Sequence, residues 1–122
     1  MSVHPGTAAL AAWLQQRHAE IKGRESDALS CLYDEKDEIA HRQLMMERAE
    51  LIATLDVETK TLVDALPNDI REDVAGALRR FAQGARNALR IDSVFYMSAL
   101  LYPDEHKKGE PDNMERLIRS LS

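Results

Sequence analysis

Two histidines in this chain stand at spacings that chemistry uses. Glu38-Ile39-Ala40-His41 has the Glu-x-x-His interval of di-iron helical bundles, in which residues three apart on a helix offer a carboxylate and an imidazole to one ion. Such a centre needs a second Glu-x-x-His pair and two further inward carboxylates. His4, His18 and His106 do not follow a glutamate by three residues, so Glu38 and His41 read as a solvated helix face. No metal and no cofactor are expected. His18-Ala19-Glu20-Ile21-Lys22-Gly23 approaches the His-x-x-Lys-Gly pattern of phosphotransfer bundles. Its lysine and glycine come one residue late, which turns the glycine about 100° from its place beside the imidazole. An ordinary helix histidine is the simpler reading, and a phosphotransfer-like signalling bundle is kept as the alternative. Cys31 is the single cysteine. It excludes an intrachain disulfide, suits a reducing cytoplasm, and otherwise reads as a small apolar residue. There is no phosphate loop, no Gly-x-Ser-x-Gly elbow and no zinc spacing, and the expectation is a protein that is not an enzyme and has no catalytic residue.

The elements that carry these residues are helical throughout. The 122 residues suit one domain with a modest core. Glycine and proline are scarce, and no apolar run approaches the ~20 residues that cross a bilayer. The opening Met1-Ser2-Val3-His4-Pro5 lacks the basic and apolar regions of a signal peptide. The net charge of −5, with arginines scattered among more numerous acids, argues against nucleic acid and against an anionic membrane surface. A high charged fraction together with abundant Ala, Leu, Glu, Arg and Met points to an elongated helical protein.

The spacing predicts an all-α, elongated antiparallel bundle or coiled coil of three main helices and a short C-terminal one, in a single domain over residues 1–122. Residues 1–6 are expected to fray. A first helix over about Ala8 to Lys22 starts at a Thr7 cap and carries Leu10, Trp13 or Leu14, and Ile21. Gly23 is a candidate stop, with Ser26 or Asp27 capping the next helix, and a continuous helix through Gly23 is the alternative. A second helix runs from about Asp27 to the mid-fifties or as far as Leu66. Its apolar side includes Leu29, Leu32, Ile39, Met46, Ile52 and Leu55, and its wet side includes Glu35, Lys36, Asp37, Glu47 and Arg48. Weaker propensity at Asp56-Val57-Glu58-Thr59 loosens it.

The longest pattern is Asp69 to Tyr102, capped by Asn68 or by an Asp69/Glu72 box and stopped by Pro103. As one helix it would span roughly 50 Å. Its last third, from Ile91 through Phe95, Tyr96, Leu100 and Leu101 to Tyr102, is apolar on more than one face, with Asp92 the polar interruption. Residues 103–111 form a polar, proline-bracketed linker. Asp112-Asn113-Met114-Glu115 then makes a capping box for a short helix over 112–122, whose stripe is Met114, Leu117, Ile118 and Leu121. So short a helix must dock on its own bundle, a second copy or a partner.

Leu29, Leu32, Glu35-Lys36 and Ile39, followed by Glu47-Arg48-Ala49-Glu50-Leu51 and then by the long third helix, resemble the layout of FlgN-type flagellar export chaperones. The resemblance covers about Ala8 to Tyr102. It implies a cytoplasmic chaperone of flagellar type III export that holds helical termini of secreted hook–filament junction subunits by helix-groove packing. The surface it implies is C-terminal: Phe95, Tyr96, Leu100, Leu101, Tyr102, Met114, Leu117, Ile118 and Leu121. The expected partner is a protein helix or a second copy, with no nucleic acid and no membrane insertion. A self-associating structural coiled coil is a further alternative.

Overall fold

The computed structural model describes residues 4–122. Among the described residues there are seven helices and no strand: α1 (Pro5–Tyr33), α2 (Glu38–Ala53), α3 (Leu55–Glu58), α4 (Lys60–Asp64), α5 (Asn68–Arg90), α6 (Val94–Ala99) and α7 (Asn113–Ser120). Of the stretch expected to fray, Met1 to Val3 lie outside the described residues, and Pro5 and Gly6 already belong to α1. The cap of α1 is His4 rather than Thr7: its Nδ1 accepts the Gly6 N–H at 3.0 Å, and Pro5 opens the helix with a φ already suited to it. Thr7 is instead buried.

α1 passes straight through Gly23, Ser26 and Asp27, so the continuous alternative is the one found. Glycine costs a helix about 1 kcal/mol relative to alanine. Burial of Ile21 and Ala28 on either side of Gly23 outweighs that. The true stop lies ten residues further on. Lys36 takes a positive φ of 54°, and Asp37 caps α2 by accepting the Ala40 N–H at 3.0 Å. Residues 27–33, expected in the second helix, therefore end the first, and α1 and α2 form an antiparallel hairpin around the elbow at 34–37.

The expected second helix also breaks twice near its end, at Thr54 and Thr59. Two arginines take up carbonyls at the first break. Arg17 donates to the Leu51 oxygen at 2.8 Å, and Arg86 donates to the Ala53 oxygen at 2.9 Å, while their other bonds reach Glu58 and Asp56. Helix ends leave such carbonyls unpaired, and a guanidinium suits them.

The expected Asp69–Tyr102 strut is two helices. α5 starts after Pro67 without a side-chain cap; Asn68 and Asp69 sit inside its first turn, where an acid still favours the helix dipole. It ends at Arg90 because Asp92 adopts a left-handed φ of 56°, a conformation short polar side chains tolerate, and Ser93 then caps α6 by accepting the Tyr96 N–H at 3.2 Å. Leu101 follows with φ 73°, and its carbonyl accepts the Asn113 N–H at 2.8 Å. The linker at 103–111 leads into α7, which has the reciprocal Asp112/Glu115 capping box that its sequence implied.

The main core joins Leu10, Leu14 and Ile21 of α1 to Ile52, Leu55, Val63, Leu78 and Met114. α7 thus packs on its own bundle, against α1. A smaller cluster of Ala28, Met45, Ala49, Ala88 and Met97 closes the elbow end, where α1, α2, α5 and α6 meet. No helix among the described residues is long and apolar enough to cross a membrane.

Candidate functional site: the elbow end and its buried arginine

Arg48 is fully buried. Its Nη1 donates to the Met97 carbonyl at 2.7 Å and its Nη2 to the Leu100 carbonyl at 2.8 Å. Both are C-terminal carbonyls of α6, the negative end of a helix, where a cation is favoured. Nη2 also stands 3.3 Å from Glu25 Oε2 of α1. The Tyr102 hydroxyl donates to Glu25 at 2.7 Å, and the Lys22 ammonium donates to the Tyr102 oxygen at 2.9 Å and to Glu25 at 3.2 Å. Burial pushes the Arg48 pKa down against the pull of Glu25. Burial, then the bond to Glu25, pushes the Tyr102 phenol up. For Lys22 burial acts downward, but Tyr102 and Glu25 outweigh it and raise the pKa. Three strands of chain, at 22–25, at 48 and at 97–102, are pinned together by these charges, and the short α6 is fixed in place.

What α6 presents outward is apolar. Phe95 is 75% exposed and Tyr96 55%, and their rings meet edge to face at 5.5 Å. Between α6 and the end of α5 runs a cleft of about 450 Å³. Gly84, Ala88 and Ala99 give it small side chains, Ile91, Tyr96 and Leu100 give it large ones, and Asn87 stands at its edge. Tyr33 and Ile39, flanking the elbow, are 71% and 84% exposed. The Arg42–Asp92 ion pair ties the start of α2 to the α5–α6 junction, so these side chains belong to the same end of the bundle as the cleft.

The C-terminal surface expected from the sequence divides. Phe95 and Tyr96 are exposed, and Leu100 is half-buried in the cleft wall. Leu101, Met114, Ile118 and Leu121 are buried in the chain's own core, with Leu117 packed partly against it. They are closed to a partner while α7 is docked. Tyr102 is half-buried and belongs to the Arg48–Glu25–Lys22 network. Sequence reasoning missed Arg48, which it placed on the wet side; the signal was its position three residues after Met45 and four before Ile52, on the row that faces the core. It also missed Glu25, Tyr33 and the exposure of Ile39.

His18 does structural work. His18 Nε2 stands 2.8 Å from Asp112 Oδ2, and Asp112 is itself buried. Burial raises the Asp112 carboxyl, but the His18 bond and the Glu115 N–H outweigh it and hold the pKa below its ordinary value. His18, Asp112 and Glu115 bring one ligand atom each within 4.8 Å of one another. Three of the four carboxylate oxygens are engaged: Asp112 Oδ2 with His18, Asp112 Oδ1 with the Glu115 N–H at 2.8 Å and Glu115 Oε1 with the Asp112 N–H at 3.0 Å. The trio is a helix cap latched to α1. His18 Nε2 is thus engaged with Asp112, and Lys22 is turned to Tyr102. Glu38 and His41 are not joined by a second ligand pair among the described residues. At Cys31, desolvation and the nearby Glu35 and Asp37 raise the thiol pKa, which suppresses the nucleophilic thiolate.

Comparison with protein-family models, with characterised proteins and with solved structures finds no match.

Proposed function

We propose that this chain is a cytoplasmic protein-binding adaptor of the export-chaperone kind, with an elongated helical bundle as scaffold and the α5–α6 cleft as the seat for a client helix. The observation that carries the reading is the cleft itself: an open, apolar furrow beside three exposed large side chains, Ile91, Phe95 and Tyr96. An amphipathic helix laid in such a furrow buries its own stripe against large side chains at the rim while small ones let its backbone come close. The resemblance of the sequence pattern to FlgN-type chaperones supports the finer version, in which the client is a terminal helix of a hook–filament junction subunit. Binding of this kind needs no covalent step and no cofactor.

The direct test is fluorescence anisotropy with a labelled peptide spanning such a terminal helix. Tyr96→Ser with Ile91→Ser weakens binding by about a hundredfold or more, since each large side chain removed from the contact loses about 1.5–3 kcal/mol of burial. Unchanged affinity in a variant that keeps its helical circular dichroism refutes the assignment of the cleft.

A further inference from the structure

His18, Asp112 and Glu115 meet from two elements far apart in the chain, α1 and the start of α7. The capping box of α7 uses only Asp112 Oδ1 and Glu115 Oε1, each of which accepts one backbone N–H. Asp112 Oδ2 is surplus to that box, and it is turned to His18 Nε2 at 2.8 Å across a sequence separation of 94. Glu115 Oε1 stands 3.9 Å from the same nitrogen. As an ionised carboxylate oxygen it keeps a lone pair beyond the one that the N–H takes. One ligand atom from each residue lies within 4.8 Å of the other two. A circle through three points so spaced has a radius of roughly 2.0–2.4 Å, against bonds of about 2.0–2.2 Å from zinc to imidazole nitrogen or carboxylate oxygen. A cation at its centre therefore reaches all three residues with side-chain shifts of a few tenths of an ångström. Asp112 is buried, and Glu115 borders a cavity of about 730 Å³ walled by Tyr102 and the linker residues His106 and Lys108, which gives an ion its way in.

We propose that His18, Asp112 and Glu115 bind one zinc ion, which staples α7 to α1. One imidazole and two carboxylates suit zinc, with a fourth position left for water; calcium and magnesium favour sets made of oxygen alone. Two carboxylates balance the charge of the ion. The N-terminal end of the α7 dipole opposes a cation, but it amounts to about half a charge. The cations felt by Asp112 are Lys22 and Arg48, and both are already paired with Glu25. The expectation of no metal rested on Glu38 and His41, which lack further ligands; this trio is assembled only by the docking of α7. The staple holds Met114 and Ile118 in the core and does not depend on the α5–α6 cleft or its client.

Isothermal titration calorimetry of zinc chloride into the full chain, first stripped of metal by dialysis against a chelator, tests this. One ion binds per chain, and Tm rises with zinc concentration. Hydrogen exchange at the amides of residues 113–120 slows in zinc, while that of Phe95 and Tyr96 is unchanged. Asp112→Asn and Glu115→Gln keep the cap, because asparagine caps a helix and glutamine serves in the box. Each nonetheless lowers zinc affinity about tenfold or more, as does His18→Ala, since each removes a ligand. Cys31→Ser and His41→Ala leave the affinity unchanged. No binding up to millimolar zinc overturns the proposal. Binding that survives Asp112→Asn and His18→Ala, or that is lost in Cys31→Ser or His41→Ala, puts the ion elsewhere and overturns it. Binding that leaves exchange at 113–120 unaltered overturns the staple, and displacement of zinc by millimolar magnesium or calcium overturns the choice of ion.

Discussion

Replacing Arg48 by methionine tests how α6 is held. Methionine keeps much of the side-chain volume, so the change isolates the charge and its donors. In the wild type the guanidinium serves Met97, Leu100 and Glu25 at 2.7, 2.8 and 3.3 Å from a fully buried position. Its removal leaves Glu25, whose side chain is only 17% exposed, with Lys22 and Tyr102 alone. It also leaves the Leu100 carbonyl without a donor and the Met97 carbonyl with only the Leu100 N–H at 3.4 Å. Breaking a buried ion pair from one side costs about 3–5 kcal/mol, and an unsatisfied buried carbonyl about 1–3 kcal/mol. These overlap, and the lost desolvation of arginine offsets part, so about 3–4 kcal/mol is the expected net loss. For a chain of this size that lowers Tm by roughly 10–20 °C. Urea unfolding followed by far-ultraviolet circular dichroism measures the loss. Glu25→Gln, alone and combined with Arg48→Met, completes a double-mutant cycle whose coupling is about 1–3 kcal/mol. Hydrogen exchange adds the local readout: the amides of Met97 and Leu100 lose protection before those of Leu78 or Ala82. A loss below about 1 kcal/mol with additive single changes would show that the arginine is not what fixes α6, and the rigid elbow end would fall with it.

Two glycines of α1 give opposite signs under the same substitution. A Cβ at Gly23 meets nothing within 4 Å, so Gly23→Ala stabilises by about 0.5–1 kcal/mol in thermal unfolding; a loss instead would deny the uninterrupted helix. A Cβ at Gly6 falls within 3.0 Å of the Ala65 carbonyl, so Gly6→Ala costs about 1–3 kcal/mol by the same measurement, and a neutral result would deny the close docking of α1 on the end of α4. Asp112 links stability to pH. Its carboxyl is depressed in the folded state, so its contribution is complete above the unfolded value of about 3.9 and is lost as pH falls through the lower folded value. Asp112→Asn therefore flattens the acid limb of a stability–pH curve and also weakens the α7 cap, by about 1 kcal/mol; parallel limbs for variant and wild type would refute the assignment.

The helical class was readable because periodicity reports which faces are buried. The Asp112/Glu115 box was readable because all its parts lie within four residues. Breaks were harder. Gly23 looks like a stop, yet what decides is Ile21 and Ala28 packing on both sides of it, a tertiary fact. The real elbow is a run of charges at 34–37, indistinguishable by composition from a wet helix face. Asp92 is visible as an interruption of the apolar row, but the row does not reveal its left-handed φ or the Ser93 cap that restarts the helix. Arg48 misled for a different reason: arginine is rarely buried, and the carbonyls and the carboxylate that make its burial tolerable come from residues 97–100 and 25, far away in sequence. Its spacing from Met45 and Ile52 fits the core row, but its charge put it on the wet side in the sequence reading.

The arrangement around α6 holds its aromatic face outside. A helix of six residues does not persist on its own. Here it is held between two residues with left-handed backbone, Asp92 and Leu101, and by a buried arginine at its C-terminus. Left-handed geometry at a leucine costs about 1–2 kcal/mol, and burying a charge costs several more before its partners offset it. If α6 served only to fill the core, Phe95 would be its best contribution. Yet Met97 is the α6 residue that is buried, and Phe95 and Tyr96 face solvent. Strain and a buried charge thus fix a short helix in the one orientation that leaves its aromatics outside. Truncating Phe95 and Tyr96 to serine should accordingly leave unfolding free energy within about 1 kcal/mol of wild type while client binding weakens. A large loss of stability from that pair would instead make them packing residues, and the elbow end would no longer be an interaction surface.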